Sequence, residues 1–217
     1  MSSSDRTFPV LRRYTSLPSA LHVLAHKQIT LLNPSLWDDR NDAFYMRQYK
    51  ERKKLKTILA LCFAETDETY HHWRVFTHGA DGVCIVFKRD ELLQAFEGLD
   101  GISKKKVDYK KISDLKTFHP PIKQLPFLKR HPYRDEEEYR IVFESKDEEV
   151  EVKPFRIDLS CIERITLSPW LSAALANAVR TAIRLADGCN DMRVYQSTLL
   201  ENDKWKKGAM RQSKAVH

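Results

Sequence analysis

Long apolar runs are missing from this 217-residue chain. Nothing in it approaches the roughly 20 consecutive apolar residues that a bilayer-spanning helix needs. The start, MSSSDRTFPV, has no basic n-region, apolar stretch or small-residue cleavage site, so no secretory signal is expected. A cytoplasmic protein with no membrane partner follows as the expectation. Cysteine is scarce: Cys62, Cys84, Cys161 and Cys189 are far apart, and no CxxC pair occurs. That spacing argues against a four-cysteine zinc site and against a disulfide scaffold, and no metal is expected. There is no GxGxxG or phosphate-loop pattern, which counts against dinucleotide-binding and ATPase folds of those types. GxSxG and HExxH are missing too, as are zinc-finger, homeodomain and aromatic-sheet signatures for nucleic acid.

What is present suffices for a packed domain. Hydrophobic residues make up 42% and charged residues 31%, a balance that buries a core without staples. The expected organisation is a mobile leader at 1–9, a single domain at 10–201, and a flexible basic tail at 202–217. The net charge of +7 is unevenly spread. Residues 102–134 hold ten Lys or Arg against Asp108 and Asp114, and residues 135–151 reverse the sign with nine acids against Arg140 and Lys146. A basic stretch attracts phosphate backbones; a solvated loop explains the same run without a partner.

Hydrophobic patterning predicts strands at 10–15, 29–32, 57–64, 83–87, 137–145, 149–157 and 162–167, with shorter candidates near 107–109 and 192–198. The strand at 149–157 is expected to form a hairpin with the one before it. Helices are expected after Ser16-Leu17-Pro18, over 44–56, 68–77 and 90–96, and over 170–186 after Ser168-Pro169. Strands and helices mix without a βαβ period. That favours an α+β fold with a central split, mostly antiparallel sheet flanked by helices.

Several side chains could carry chemistry. On a strand, Glu136, Glu138 and Arg140 would share one face. Paired acids beside an arginine can do acid–base work or stabilise a developing cation; a solvent-facing charged strand is the plainer reading. Asp39 and Asp42 can bind a cation through oxygen, or cap a turn. His22 and His26 lie four apart on a helix but lack a third ligand nearby. His71, His72 and His78 flank Trp73, and one helix cannot aim all three at one point.

Four segments in order carry a resemblance: Arg13-Tyr14 on the first strand, NPSLWDDRND (33–42), LCFAETDETYHHWRVFTHGADGVCIVF (61–87), and HPYRDEEEYRIVF (131–143). Together they resemble the bacterial family catalogued as domain of unknown function 2971. Trp37, Asp39, Asp42, Cys62, Phe63, Trp73, Gly82, Cys84, Ile85, Phe87, Tyr133, Glu136, Glu138, Tyr139 and Arg140 match its pattern. Asp38, Arg40 and Ala64 depart from it. The order of parts is also similar to the ADP-ribosyltransferase fold, particularly its Arg-Ser-Glu class. That similarity implies NAD as substrate and ADP-ribosyl transfer to a macromolecular acceptor, in bacterial defence or toxicity. Glu138 would stabilise the ribosyl cation, Glu136 would orient or deprotonate the acceptor, and Arg140 would stand beside them. Arg13, Tyr14, Trp73, Asp39 and Asp42 would line the NAD site. Ala64, or Thr66, stands where that class has serine. Two other readings stay open: a nucleic-acid-binding or processing protein using the 102–134 loop and the tail, and a non-catalytic interaction domain.

Overall fold

The computed structural model describes residues 9–77 and 79–212. The expected leader up to Ser4-Asp5-Arg6-Thr7-Phe8, the end of the tail (213–217) and His78 lie outside the described residues. Eleven strands are described: β1 (Val10–Ser16), β2 (Gln28–Leu32), β3 (Thr57–Ala64), β4 (Gly82–Lys88), β5 (Ile102–Lys106), β6 (Asp108–Lys110), β7 (Leu128–Arg130), β8 (Glu138–Ser145), β9 (Val152–Arg156), β10 (Ile162–Leu167) and β11 (Val194–Gln196). Nine form one sheet along the path β11-β10-β4-β1-β3-β2-β9, with β8 joined to β3 and β5 joined to β8. Every pairing in it is antiparallel except β10 with β11. This is the expected α+β class with a mostly antiparallel sheet flanked by helices.

The sheet is split. β1 runs against β4 over seven residues but meets β3 only at Arg12 opposite Ala64. β2 likewise meets β3 only at Leu32 opposite Ala60. Alternation sorts side chains between the two faces. On one face Leu59, Leu61, Phe63, Ile85, Phe87, Ile141 and Phe143 join the main core. On the other, Ile58, Ala60 and Val142 pack under Met46, Tyr49, Leu125 and Phe127.

Six helices are described: α1 (Leu17–His26), α2 (Arg40–Lys53), α3 (Tyr70–Phe76), α4 (Arg89–Gln94), α5 (Ala173–Leu185) and α6 (Asp203–Gln212), the last exposed over residues 203–210. Local chemistry sets their starts. The side chains of Ser16, Asp39, Thr69 and Ser172 each accept a backbone N–H of the first turn, satisfying donors that the helix leaves orphaned. Asp39 starts α2 four residues before the patterning predicts. Ser172, not Ser168, caps α5; Ser168 is buried and donates to the Gly79 carbonyl, tying that turn to β4.

Two expectations are corrected. The strand near 149–157 does not pair with its neighbour: β9 runs antiparallel to β2, because β3 and β5 already occupy both edges of β8. Residues 102–134 are not one loop, since β5 adds to β8 and β6 pairs with β7 in a small parallel ribbon. Residues 203–212 of the expected tail form helix α6, which Asn202 begins by accepting the Trp205 N–H. Among the described residues no helix is long and apolar enough to cross a membrane.

Candidate active site

The split brings three strands into one row. Arg12 of β1 sits opposite Ala64 of β3, and Ala64 sits opposite Glu138 of β8. Residues opposite one another in antiparallel strands point to the same face. In the next row Cys62 lies opposite Arg140, and Arg140 opposite Lys105 of β5. Glu138 and Arg140 therefore share a face, as alternation along the strand predicts. Glu136 does not belong to the strand: it closes a 3-10 turn at His131–Glu136, and Glu137 at φ 41° redirects the chain.

Charge concentrates at this point. The Arg140 guanidinium is fully buried. Its Nε donates to Glu138 Oε1 at 2.5 Å and its Nη2 to Glu138 Oε2 at 2.9 Å. Its remaining donors go to both Asp42 oxygens and to the Pro126 carbonyl, and the Trp37 ring lies 4.9 Å away. Lys129 reaches Glu136 Oε2 at 2.5 Å, Glu138 Oε2 at 3.2 Å and Asp42 Oδ2 at 3.8 Å, and its ammonium lies 5.0 Å from the Tyr133 ring centre. Three carboxylates thus surround two cations. Burial by itself raises a carboxyl pKa, because the charged form loses water. At Glu138 the nearby Arg140 and Lys129 reverse that and bring it down to about 2. At Asp42 and Glu136 burial wins and the pKa stays raised. At Lys129 burial works downward, and Glu138 and Glu136 more than offset it, so its pKa is raised. Of the three acids, Glu138 is the one whose pKa the neighbouring cations bring below its ordinary value.

The two arginines of β1 part company. Arg12 lies on the Glu138 face and holds the loop after β3, donating to the Thr66 carbonyl at 2.7 Å and to Asp67 Oδ1 at 2.8 Å. Arg13 enters the gap between β1 and β3 and donates to the Cys62 carbonyl at 3.0 Å, where no ladder amide supplies the bond. The resemblance to ADP-ribosyltransferases implied Arg13 for the NAD site; Arg12 is the arginine of the two that lies on the Glu138 face. The signal available was parity: Arg12 shares its face with Val10 and Tyr14.

Beside the row, Tyr14 is buried, stacked on His72 at 5.3 Å and edge-on to Trp73 at 5.2 Å. Trp73 is wholly buried, and its indole N–H donates to Glu68 at 2.6 Å; no part of the ring faces open space. His72 is also fully buried. Its Nε2 meets the Glu136 carbonyl at 3.2 Å, and its Nδ1 meets the Thr69 hydroxyl at 2.6 Å. Burial lowers its pKa, and a neutral ring with Nε2–H donating fits both contacts. His72 ties α3 to Glu136, a link that no sequence spacing announced. Asp39 caps α2 and stays outside the cluster, whereas Asp42, one turn on, points inward to Arg140. His22 and His26 pair with each other on the exposed side of α1. Of the predicted residues, Glu136, Glu138, Arg140 and Asp42 come together; Arg13, Tyr14 and Trp73 flank them; Asp39 stands apart. Among the described residues no group of three acidic, histidine or cysteine side chains is arranged to hold a metal ion.

No family model matches the chain, so membership of the family catalogued as domain of unknown function 2971 is not shown. No curated protein matches it either. Among solved structures it is similar to DarT of Thermus sp. 2.9. The complex of that protein with ADP-ribosylated ssDNA shares 13% identity and a TM-score of 0.48, covering 91% of this chain and 98% of that one. Its complex with NAD+ shares 11% identity and a TM-score of 0.47, covering 88% and 96%. Its complex with carba-NAD+ shares 12% identity and a TM-score of 0.45, with the same coverage.

Proposed function

We propose that this chain transfers ADP-ribose from NAD to a macromolecular acceptor at Glu138. The observation that carries this reading is the buried Glu138, paired with Arg140 and Lys129 and standing in one row with Arg12. When the bond between ribose C1′ and nicotinamide nitrogen breaks, its electron pair goes to the nicotinamide, and positive charge spreads over ribose C1′ and O4′. A fixed carboxylate beside that charge stabilises it in the transition state, as in glycoside hydrolysis. The acceptor then bonds to C1′ and gives up a proton. In this reading Glu136, whose pKa burial raises, takes it. Arg12 and Arg13 supply positive charge for the pyrophosphate. Trp73, being covered, serves as a wall rather than a stacking surface, and Asp42 holds Arg140 in place.

The basic segment favours nucleic acid as the first acceptor to test. Purified protein is incubated with NAD alone and with DNA, RNA or cell extract, and nicotinamide release is followed. Release that vanishes in Glu138→Gln is the expected result. No release under any condition, together with no rise in melting temperature on adding NAD, would leave a nucleic-acid-binding module as the reading.

A further inference from the structure

We propose that residues 105–134 form a two-faced cover: its outer face binds a nucleic-acid strand, and its inner face locks the candidate site through Lys129, so that strand binding unlocks the site. The site is the one assigned to ribosyl transfer above, but the coupling can be read without NAD.

The inner face is defined by contacts. In the β6–β7 ribbon Tyr109 lies opposite Lys129. The Tyr109 hydroxyl accepts the Glu138 backbone N–H at 2.9 Å, and the Val107 N–H donates to the Glu138 carbonyl at 2.8 Å. Lys129 closes the site by bridging Glu136 and Glu138. Its ammonium, among three carboxylates and near the Tyr133 ring, occupies the place where a substrate's positive charge would be stabilised. The lysine is thus an internal stand-in for a cationic substrate. Glu138 is 5% exposed, so no ligand reaches its carboxylate until the cover moves.

The outer face is defined by unmatched charge. Lys105, Lys111, Lys116, Lys123 and Arg130 are exposed and make no ion pair among the described residues. The acids of the segment are already engaged, Asp108 by Lys110 and Asp114 by the Lys111 backbone N–H. Lys105 stands on the edge strand, on the same face as Arg140. Arg130 is the neighbour of the locking Lys129. Five free cations strung along one segment fit a chain of phosphates, which binds by releasing its condensed counterions. A single phosphate ion gains little from cations so far apart in sequence. A strand that draws these residues outward pulls on the ribbon holding Tyr109 and Lys129.

The test uses the full chain, a fluorescent single-stranded oligonucleotide, and hydrogen exchange of the peptide spanning residues 136–139. Binding is expected to weaken about a hundredfold between about 50 and about 200 mM salt, the dependence of about five phosphate contacts. Saturating oligonucleotide should speed exchange at the Glu138 amide several-fold, because that amide is protected by a cover contact. Inorganic phosphate at the same phosphate concentration should leave it unchanged. A variant carrying Lys111→Gln, Lys116→Gln, Lys123→Gln and Arg130→Gln changes only exposed side chains; it should lose both binding and acceleration. Lys129→Met should exchange fast without any strand. Three results would overturn the proposal: no salt-sensitive binding, binding that leaves exchange at 136–139 unchanged or slower, or an equal response to inorganic phosphate. Each can occur whether or not the protein turns over NAD, so the fate of the lock and that of the transferase reading stay separate.

Discussion

Replacing Arg140 with Met removes one of the two cations that the buried carboxylates of Asp42 and Glu138 share. Arg140 is fully buried and gives donors to Glu138, Asp42 and the Pro126 carbonyl. Without it, Asp42 and Glu138 remain buried with Lys129 as the one cation ion-paired to them among the described residues. Removing one partner of a buried ion pair costs about 3–5 kcal/mol. The net Glu138 shift, to which Arg140 and Lys129 both contribute against burial, is of the same order: a drop from 4.5 to about 2 corresponds to about 3 kcal/mol. For a chain of this size that lowers Tm by about 6–20 °C. The pH dependence has a definite sign. In the parent, Glu138 has a depressed pKa, so its contribution is present above its unfolded value and is lost as pH falls toward about 2. In the variant, burial acts on Glu138 without Arg140, and its folded pKa rises above the unfolded one. The variant therefore gains stability as pH falls through that raised value, and its deficit narrows on going from about pH 8 to about pH 5. Adding Asp42→Asn should recover part of the loss by removing one orphaned anion. Thermal melts of the three proteins across pH are the assay. A Tm within about 3 °C of the parent, or a deficit that widens in acid, would refute the buried three-acid, two-cation cluster.

Other substitutions test the local arguments. Gly101 has φ +74°, and a Cβ there would collide with the Glu144 backbone carbonyl. Gly101→Ala should therefore cost about 2 kcal/mol or more, whereas Gly98→Ala, strained in φ but meeting nothing, should cost about 1 kcal/mol; denaturant midpoints separate the two. Asp39→Ala removes the α2 cap and should cost about 1 kcal/mol without changing the nicotinamide release expected of the proposed reaction, because Asp39 caps α2 rather than joining the charged cluster. A large loss of turnover in that variant would mean that α2 and Asp42 shift with the cap.

Much of this molecule was legible in its sequence because the physics involved is local. The run Thr57–Ala64 is short, apolar and bounded by polar residues, and it is β3 to the residue. Ser16-Leu17-Pro18 carries its own cap and proline, and it starts α1. Period-two alternation placed Glu138 and Arg140 on one face, as the register of β8 with β3 bears out. Where local rules competed, patterning slipped by a few residues, as at α5, where Ser168 and Ser172 both qualify as caps.

The tertiary structure decided the rest, since partners distant in sequence cannot be inferred from period alone. Nothing within 137–157 says that both edges of β8 are taken, yet that fact sends β9 to β2. Choosing between Arg12 and Arg13 required knowing which face β1 turns to Ala64, and that depends on a single point of contact across a split sheet. Lys129 looked like one more charge in a basic run; only the folding back of β7 sets it between Glu136 and Glu138. Asp42 and Arg140 stand 98 positions apart in the chain. Sequence determined which residues are charged, apolar or able to cap. Burial, which comes only from packing distant segments together, decided which of those charges act as a unit.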